Sequence, residues 1–274
     1  MKKVSYIAFA MAITTWSCGG PDTNAPDTPN PGTSDVPPPV IPFSVVNKHP
    51  HDTTYFTEGL EFYKGQLLES SGGNDDSSPY PSEFGVVNRE TGKVMTKAKL
   101  DKSKHFGEGI TVFKDKLYQL TWQSGAAFIY DANTFKLIRE FKLPTREGWG
   151  LTHDTASLIM SDGSSNLYYL DPDSLRVKYT VTVIHNGSPV NNINELEYVN
   201  GVIYANKWGA NVVFKIDPQT GKILGQLNLD SLDREAKTLY PAAAELNGIA
   251  FDSSTGKIFV TGKKWPTMYE LQVQ

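Results

Sequence analysis

Five segments of this 274-residue chain repeat one pattern, and that repetition limits the fold more than any other feature. They are FTEGLEFYKGQLLESSG from Phe56, FGEGITVFKDKLYQLTW from Phe106, GWGLTHDTASLIMSDG from Gly148, LEYVNGVIYANKW preceded by Asn194-Glu195, and LNGIAFDSSTGKIFVTGKK from Leu246. Each reads as an alternating strand, a tight turn such as Tyr63-Lys64-Gly65-Gln66 or Val199-Asn200-Gly201, and a second alternating strand. Further hairpins are centred on Asn88–Gly92, Asp131–Thr134, Asp171–Ser174 and Asp217–Gly221. Four strands per unit, with equivalent positions 41 to 53 residues apart, is the spacing of propeller blades. The last unit ends one strand short at Gln274, and an unpaired strand candidate, Ile41 to Val46, precedes the first. Pairing the two closes the ring without an exposed edge. The expected fold is all-β, a five-bladed β-propeller of four-stranded blades. A two-sheet sandwich is the competing architecture, and Leu229 to Leu239 has the caps and spacing of one short helix.

The only cysteine is Cys18, which excludes intrachain disulfides, cysteine-ligated metal sites and a cysteine nucleophile in the folded body. A net charge of −4 argues against a nucleic-acid groove. Residues 1–17 carry Lys2 and Lys3 followed by an apolar run, which reads as an export signal ending at Cys18-Gly19-Gly20. Small residues around a lone cysteine there resemble the bacterial lipoprotein pattern, in which that cysteine is lipidated. Gly19 to Pro42 holds eight of the 17 prolines and no aromatic residue, so it cannot build a core. The expected organisation is a signal over 1–17, a proline-rich tether over 18–42 beginning at lipidated Cys18, and the propeller over 43–274. The expected location is a bacterial cell envelope, with the body held off a membrane.

The start of the first strand and the end of the second lie at the same end of a hairpin, so the repeat maps one face of the ring. The first set of equivalent positions is Glu58, Glu108, Trp149, Asn194 and Asn247; the second is Gly72, Trp122, Gly163, Trp208 and Lys263. Two glutamates, two asparagines and a lysine meeting three indoles describe a pocket with aromatic walls and a few convergent polar groups. Other chemistry is weaker. His49-x-His51 lacks further metal ligands, Asn74-Asp75-Asp76 lacks the glutamate of a calcium loop, and Thr261-Gly262-Lys263 lacks a phosphate loop's glycine-rich run. No serine sits on a nucleophile turn.

The ordered series FTEGL, FGEG, LYQLTW, GWGL, SDG, NELEY, ANKW, LNGIAF and VTGKKW resembles the plant-type glutamine cyclotransferases, five-bladed propellers of plants and bacteria, over essentially all of 43–274. The resemblance implies conversion of N-terminal glutamine of peptides to pyroglutamate with release of ammonia, without metal or other cofactor. It implies that Glu108 is the catalytic carboxylate, Asn194 the substrate-holding amide and Lys263 the pocket lysine. Trp122, Trp149 and Trp208 would be the aromatic walls, and Phe56 and Phe106 the inner lining. Two departures stand out: Glu58 replaces the family's usual Gln, and Ser71 to Pro81 replaces a shorter loop. The expected partners are peptides with N-terminal Gln and, through the anchor, a membrane; the body is expected to act as a monomer. A non-enzymatic propeller binding a peptide or envelope component and a metal-dependent lactonase are the rival readings.

Overall fold

The structure is a computed structural model, described here for residues 36–74 and 78–274. Cys18, the signal 1–17 and most of the tether therefore lie outside the described residues. The repeat folds as expected into five four-stranded antiparallel sheets. Blade 1 is Thr57–Tyr63, Gln66–Ser71, Glu83–Val87 and Val94–Lys99. Blade 2 is Phe106–Phe113, Lys116–Trp122, Ala126–Asp131 and Leu137–Lys142; blade 3 is Leu151–His153, Leu158–Ser161, Asn166–Leu170 and Val177–Thr182. Blade 4 is Ile193–Val199, Val202–Lys207, Val212–Ile216 and Ile223–Asn228. Blade 5 takes Leu246–Asp252, Lys257–Gly262 and Thr267–Val273 from the C-terminus and its outermost strand, Phe43–Pro50, from the N-terminal end.

The turns explain the hairpins. Asn200 and Gly201 both have positive φ, 48° and 89°, the geometry that matches a two-residue turn to the strands' twist. At the outer hairpins one device recurs: the carboxylates of Asp131, Asp171 and Asp217 accept from the backbone N–H three residues on, at 2.7, 2.9 and 2.8 Å. Asn88 does the same for Thr91 at 3.0 Å. The expected helix spans Asp230–Leu239 between blades 4 and 5, with no side-chain cap at its start, and buries Leu232 and Ala236. A short ribbon, Ile184–His185 with Ser188–Pro189, links blades 3 and 4 and was not foreseen.

The core is divided among the blade interfaces. Leu60, Leu67, Ala250, Phe259 and Met268 form the cluster between blades 1 and 5, and each other interface has its own. At the axis the innermost strands approach backbone to backbone. A Cβ on Gly150 would stand 2.0 Å from the Asn194 carbonyl oxygen, and one on Gly109 2.5 Å from that of Trp149. Gly59, Gly109, Gly150 and Gly248 occupy the same repeat position; blade 4 has Glu195 instead. Its fully buried carboxylate accepts from Leu60 N–H at 3.2 Å and Ile249 N–H at 2.8 Å, joining blade 4 to blades 1 and 5.

Closure extends beyond the strand Ile41 to Val46 read from the sequence. Phe43–Pro50 pairs with Thr267–Val273 along its whole length, and Ile41 N–H already donates to Gln226 O at 2.8 Å on blade 4. Beyond the strand, His51 is locked in place. Its Nδ1 donates to Trp265 O at 2.6 Å and its Nε2 stands 2.8 Å from Glu69 Oε1, with both side chains fully buried. His49 pairs separately with Glu270 at 3.1 Å, so the two histidines share no site. Burial pulls the His51 pKa down, but the Glu69 charge and hydrogen bond outweigh it and leave it above the ordinary 6.5.

A raised folded-state value means that this contribution to stability is complete below the unfolded value and fades as pH rises through the folded one. Glu69→Gln should cost about 3 kcal/mol at pH 6, by stranding a buried cation. Urea unfolding checks this, and the gap to the wild type should narrow as the pH is raised.

Candidate active site

The side chains at one end of the axis are aimed by irregularities in the strands. In blade 1, Thr57 pairs with Ser71 and Gly59 with Ser70, leaving Glu58 as an extra residue. Register shifts of the same kind fall between Gly107 and Ile110, Ile193 and Leu196, and Leu246 and Ile249. In blade 3 the ladder begins at Leu151, just after Trp149-Gly150. A bulge breaks the strict alternation of a strand and re-aims the residue it contains. Glu58, Glu108, Trp149 and Asn194 thereby line a 720 Å³ cavity together with Phe56, Phe106, Trp122, Trp208 and Lys263.

Nine of the ten pocket residues singled out in the sequence thus meet in one place. The tenth, Asn247, lies behind the cavity wall: its Nδ2 donates to Glu58 Oε2 and to Thr57 O, both at 3.0 Å, and so braces Glu58. Gly72 and Gly163 take equivalent positions without a side chain, leaving room for the Phe106 ring and the Trp149 indole to lie against them.

Lys263 Nζ is 2.8 Å from Glu58 Oε1 and 4.5 Å from the Phe56 ring centroid. Burial pushes the Glu58 pKa up to about 7 against the pull of Lys263. Burial also opposes charge on Lys263, yet Glu58 and Glu108 outweigh it and hold its pKa above the usual range. Glu108 differs from both. The residue is 5% exposed, and its carboxyl accepts no hydrogen bond among the described residues. Burial first, then the negative charges of Glu58 and Glu147, raise its pKa well above the ordinary carboxylate range, although Lys263 opposes them. Asn194 also has unused capacity, because its buried Oδ1 has no partner among the described residues.

The walls are held by a residue the sequence reading missed. Glu147 Oε2 accepts from the indole N–H of Trp122 and of Trp149, each at 3.0 Å. A carboxylate two positions before Trp149 was the available signal, since a shielded indole N–H needs an acceptor; the involvement of Trp122 follows only from the fold. Trp149 meets Trp208 edge to face at 6.2 Å, and Phe106 meets Trp122 at 5.7 Å. Tyr80, also unforeseen, stacks on Phe56 at 5.5 Å and lines the cavity, with Lys264 Nζ 5.4 Å from its ring. Among the described residues no three His, Cys, Asp or Glu side chains are grouped to hold a metal ion.

This is an aromatic-walled chamber with one unpaired carboxyl, one ion-paired lysine and one unsatisfied amide, suited to moving a proton on a small polar group. The family profile for glutamine cyclotransferase matches residues 20–273. A glutaminyl-peptide cyclotransferase of Arabidopsis thaliana is 38% identical over 233 residues, which cover 84% of this chain and 71% of that protein. The crystal structure of Myxococcus xanthus glutaminyl cyclase superposes with a TM-score of 0.77 at 33% identity, covering 86% of this chain and 98% of that one. With its five blades, its cavity and these relatives in agreement, the chain belongs to the glutamine cyclotransferase family.

Proposed function

We propose that the cavity cyclises the N-terminal glutaminyl residue of peptides to pyroglutamate, with Glu108 as general acid and base. The observation that carries this reading is the isolation of Glu108: a buried carboxyl with no hydrogen-bond partner, enclosed by indoles, beside the Lys263–Glu58 pair. Cyclisation requires the α-amine to attack its own γ-carboxamide carbon. The substrate already holds these atoms at the two ends of one five-atom chain, so the protein has to fix the conformer and move a proton. As the new C–N bond forms, the attacking nitrogen gives a proton to the Glu108 carboxylate. As the old C–N bond breaks, Glu108 returns that proton to the leaving nitrogen, which departs as ammonia.

The Asn194 Nδ2 and Lys263 donate to the γ-carbonyl oxygen while charge develops on it, and the free Asn194 Oδ1 can accept from the substrate; Glu58 uses one of the three ammonium N–H groups and leaves two. Trp122, Trp149 and Trp208 close around the glutamine side chain and keep out water, the competing nucleophile. Phe56 and Phe106 line the apolar floor. The amine attacks as the free base, so a substrate arriving as ammonium first loses one proton to solvent, and ionised Glu108 takes the second as the bond forms. No step calls for a metal ion, and we place no cofactor in the cavity. The body is proposed to act as a monomer, tethered at a bacterial envelope membrane through Cys18.

Glu108→Gln should keep the fold and lower turnover of a glutaminyl peptide by about 10² to 10⁴, measured as ammonia release by purified 43–274. Glu58→Gln should stay within about tenfold, roughly 1.4 kcal/mol in the barrier. The reverse ranking would move the catalytic role to Glu58. The pH profile separates them further. The reaction needs ionised Glu108, so kcat/KM falls as pH drops through its raised pKa. Removing the Glu58 charge, which helps to raise that pKa, should move the acid limb to lower pH.

Activity should survive a chelator; loss on chelation with recovery on adding zinc or calcium would contradict a metal-free site. Cys18→Ala should release the full-length protein from the membrane fraction with its activity unchanged, and a wild type found only in the soluble fraction would contradict the anchor.

A further inference from the structure

The catalytic cavity does not end at its mouth. A second depression of 360 Å³ adjoins it across Phe106 and Trp122, which wall both. Its remaining lining is cationic or neutral: Lys102, Lys104, His105 and Arg146 carry the basic groups, and no carboxylate lines it among the described residues. Most of these groups are already engaged. Lys104 Nζ is 2.7 Å from Asp101, Lys102 Nζ donates to Pro79 O at 3.2 Å, and His105 Nδ1 stands 3.0 Å from Ser124 Oγ. Arg146 is different, because its guanidinium makes no ion pair or hydrogen bond among the described residues. Its backbone is nonetheless held in place. Thr145 Oγ1 donates to Glu147 O at 2.7 Å, and the Glu147 carboxylate is fixed by the two indoles.

A substrate whose first residue sits at Glu108 must leave the cavity through its carbonyl side. Each further extended residue advances about 3.5 Å, so the second and third residues are the ones that can cross the Phe106 and Trp122 wall. An uncompensated guanidinium there presents a planar fork that fits a carboxylate. We infer that Arg146 forms a carboxylate subsite for the second or third residue of the glutaminyl substrate, taking either an Asp or Glu side chain or the free α-carboxylate of a short peptide. This inference rests on the glutaminyl-peptide reading of the cavity. An exposed ion pair of this kind contributes modestly, so the preference over neutral substrates should be about fivefold in kcat/KM and should shrink as salt is added.

Four tripeptides test it: Gln-Ala-Glu-amide, Gln-Ala-Ala as the free acid, Gln-Ala-Ala-amide and Gln-Ala-Lys-amide. Wild type should favour the first two over the neutral amide and disfavour the last; the first two peptides separate the side-chain source from the terminal one. In Arg146→Gln the ratio of acidic to neutral substrate should fall to about one, while Arg146→Lys should retain part of it. Each ratio is taken within one variant, so a partly unfolded preparation does not mimic the effect. Equal rates for all four peptides in wild type, or an undiminished ratio in Arg146→Gln, overturn the subsite while leaving the cyclase reading intact. Tryptophan fluorescence titration of Glu108→Gln with the same peptides reads binding without turnover. A binding preference that depends on Arg146, with no ammonia released by wild type, would uphold the subsite and sink the cyclase reading.

Discussion

Five strands converging on one axis leave no room for a side chain where their backbones meet, and the rest of this molecule answers to that crowding. Glycine satisfies it in four blades, and Glu195 of the fourth blade fills the remaining space. Its carboxylate accepts the Leu60 and Ile249 N–H groups, which would otherwise be buried without partners. Glu197 repeats the device further along the axis, accepting from Phe251 N–H at 2.7 Å, and Glu61 accepts from Thr111 Oγ1 at 2.8 Å. Burial raises all three pKa values, that of Glu61 to about 8. These carboxyl groups stitch one blade to another where strand hydrogen bonds cannot.

The same crowding builds the active site. Next to each axial position the ladder slips or stops, and the freed residue turns toward one end of the ring. Equivalent backbone positions therefore deliver Glu58, Glu108, Trp149 and Asn194 to one chamber, and different chemistry at those slots turns a repetitive scaffold into an asymmetric site. The roles of the two glutamates are set by their neighbours. Glu58 is braced by Asn247 and paired with Lys263, whereas Glu108 has no such support and is raised well above the ordinary carboxylate range by burial and the Glu58 charge.

The repeat, its four strands per unit and the closing strand were legible because hairpin turns and alternation are local properties of the chain. Glu58, Glu108, Trp122, Trp149, Asn194, Trp208 and Lys263 were legible as a set because equivalent positions in a closed ring share a face, whereas Phe56 and Phe106 came from the family resemblance. Other features depend on contacts between blades that have no local signature. Asn247 occupies an equivalent slot but turns behind Glu58, where its Nδ2 donates to Thr57 O and the glutamate. Glu147 gains its role only when blade closure brings Trp122 to the same oxygen as Trp149. Tyr80 enters the site because its ring stacks on Phe56. Thus the sequence by itself determined the architecture and the face that carries the chemistry, whereas the protonation and pairing of each group were decided by the tertiary structure, because burial and partner distance act between residues up to about two hundred positions apart, as Glu58 and Lys263 are.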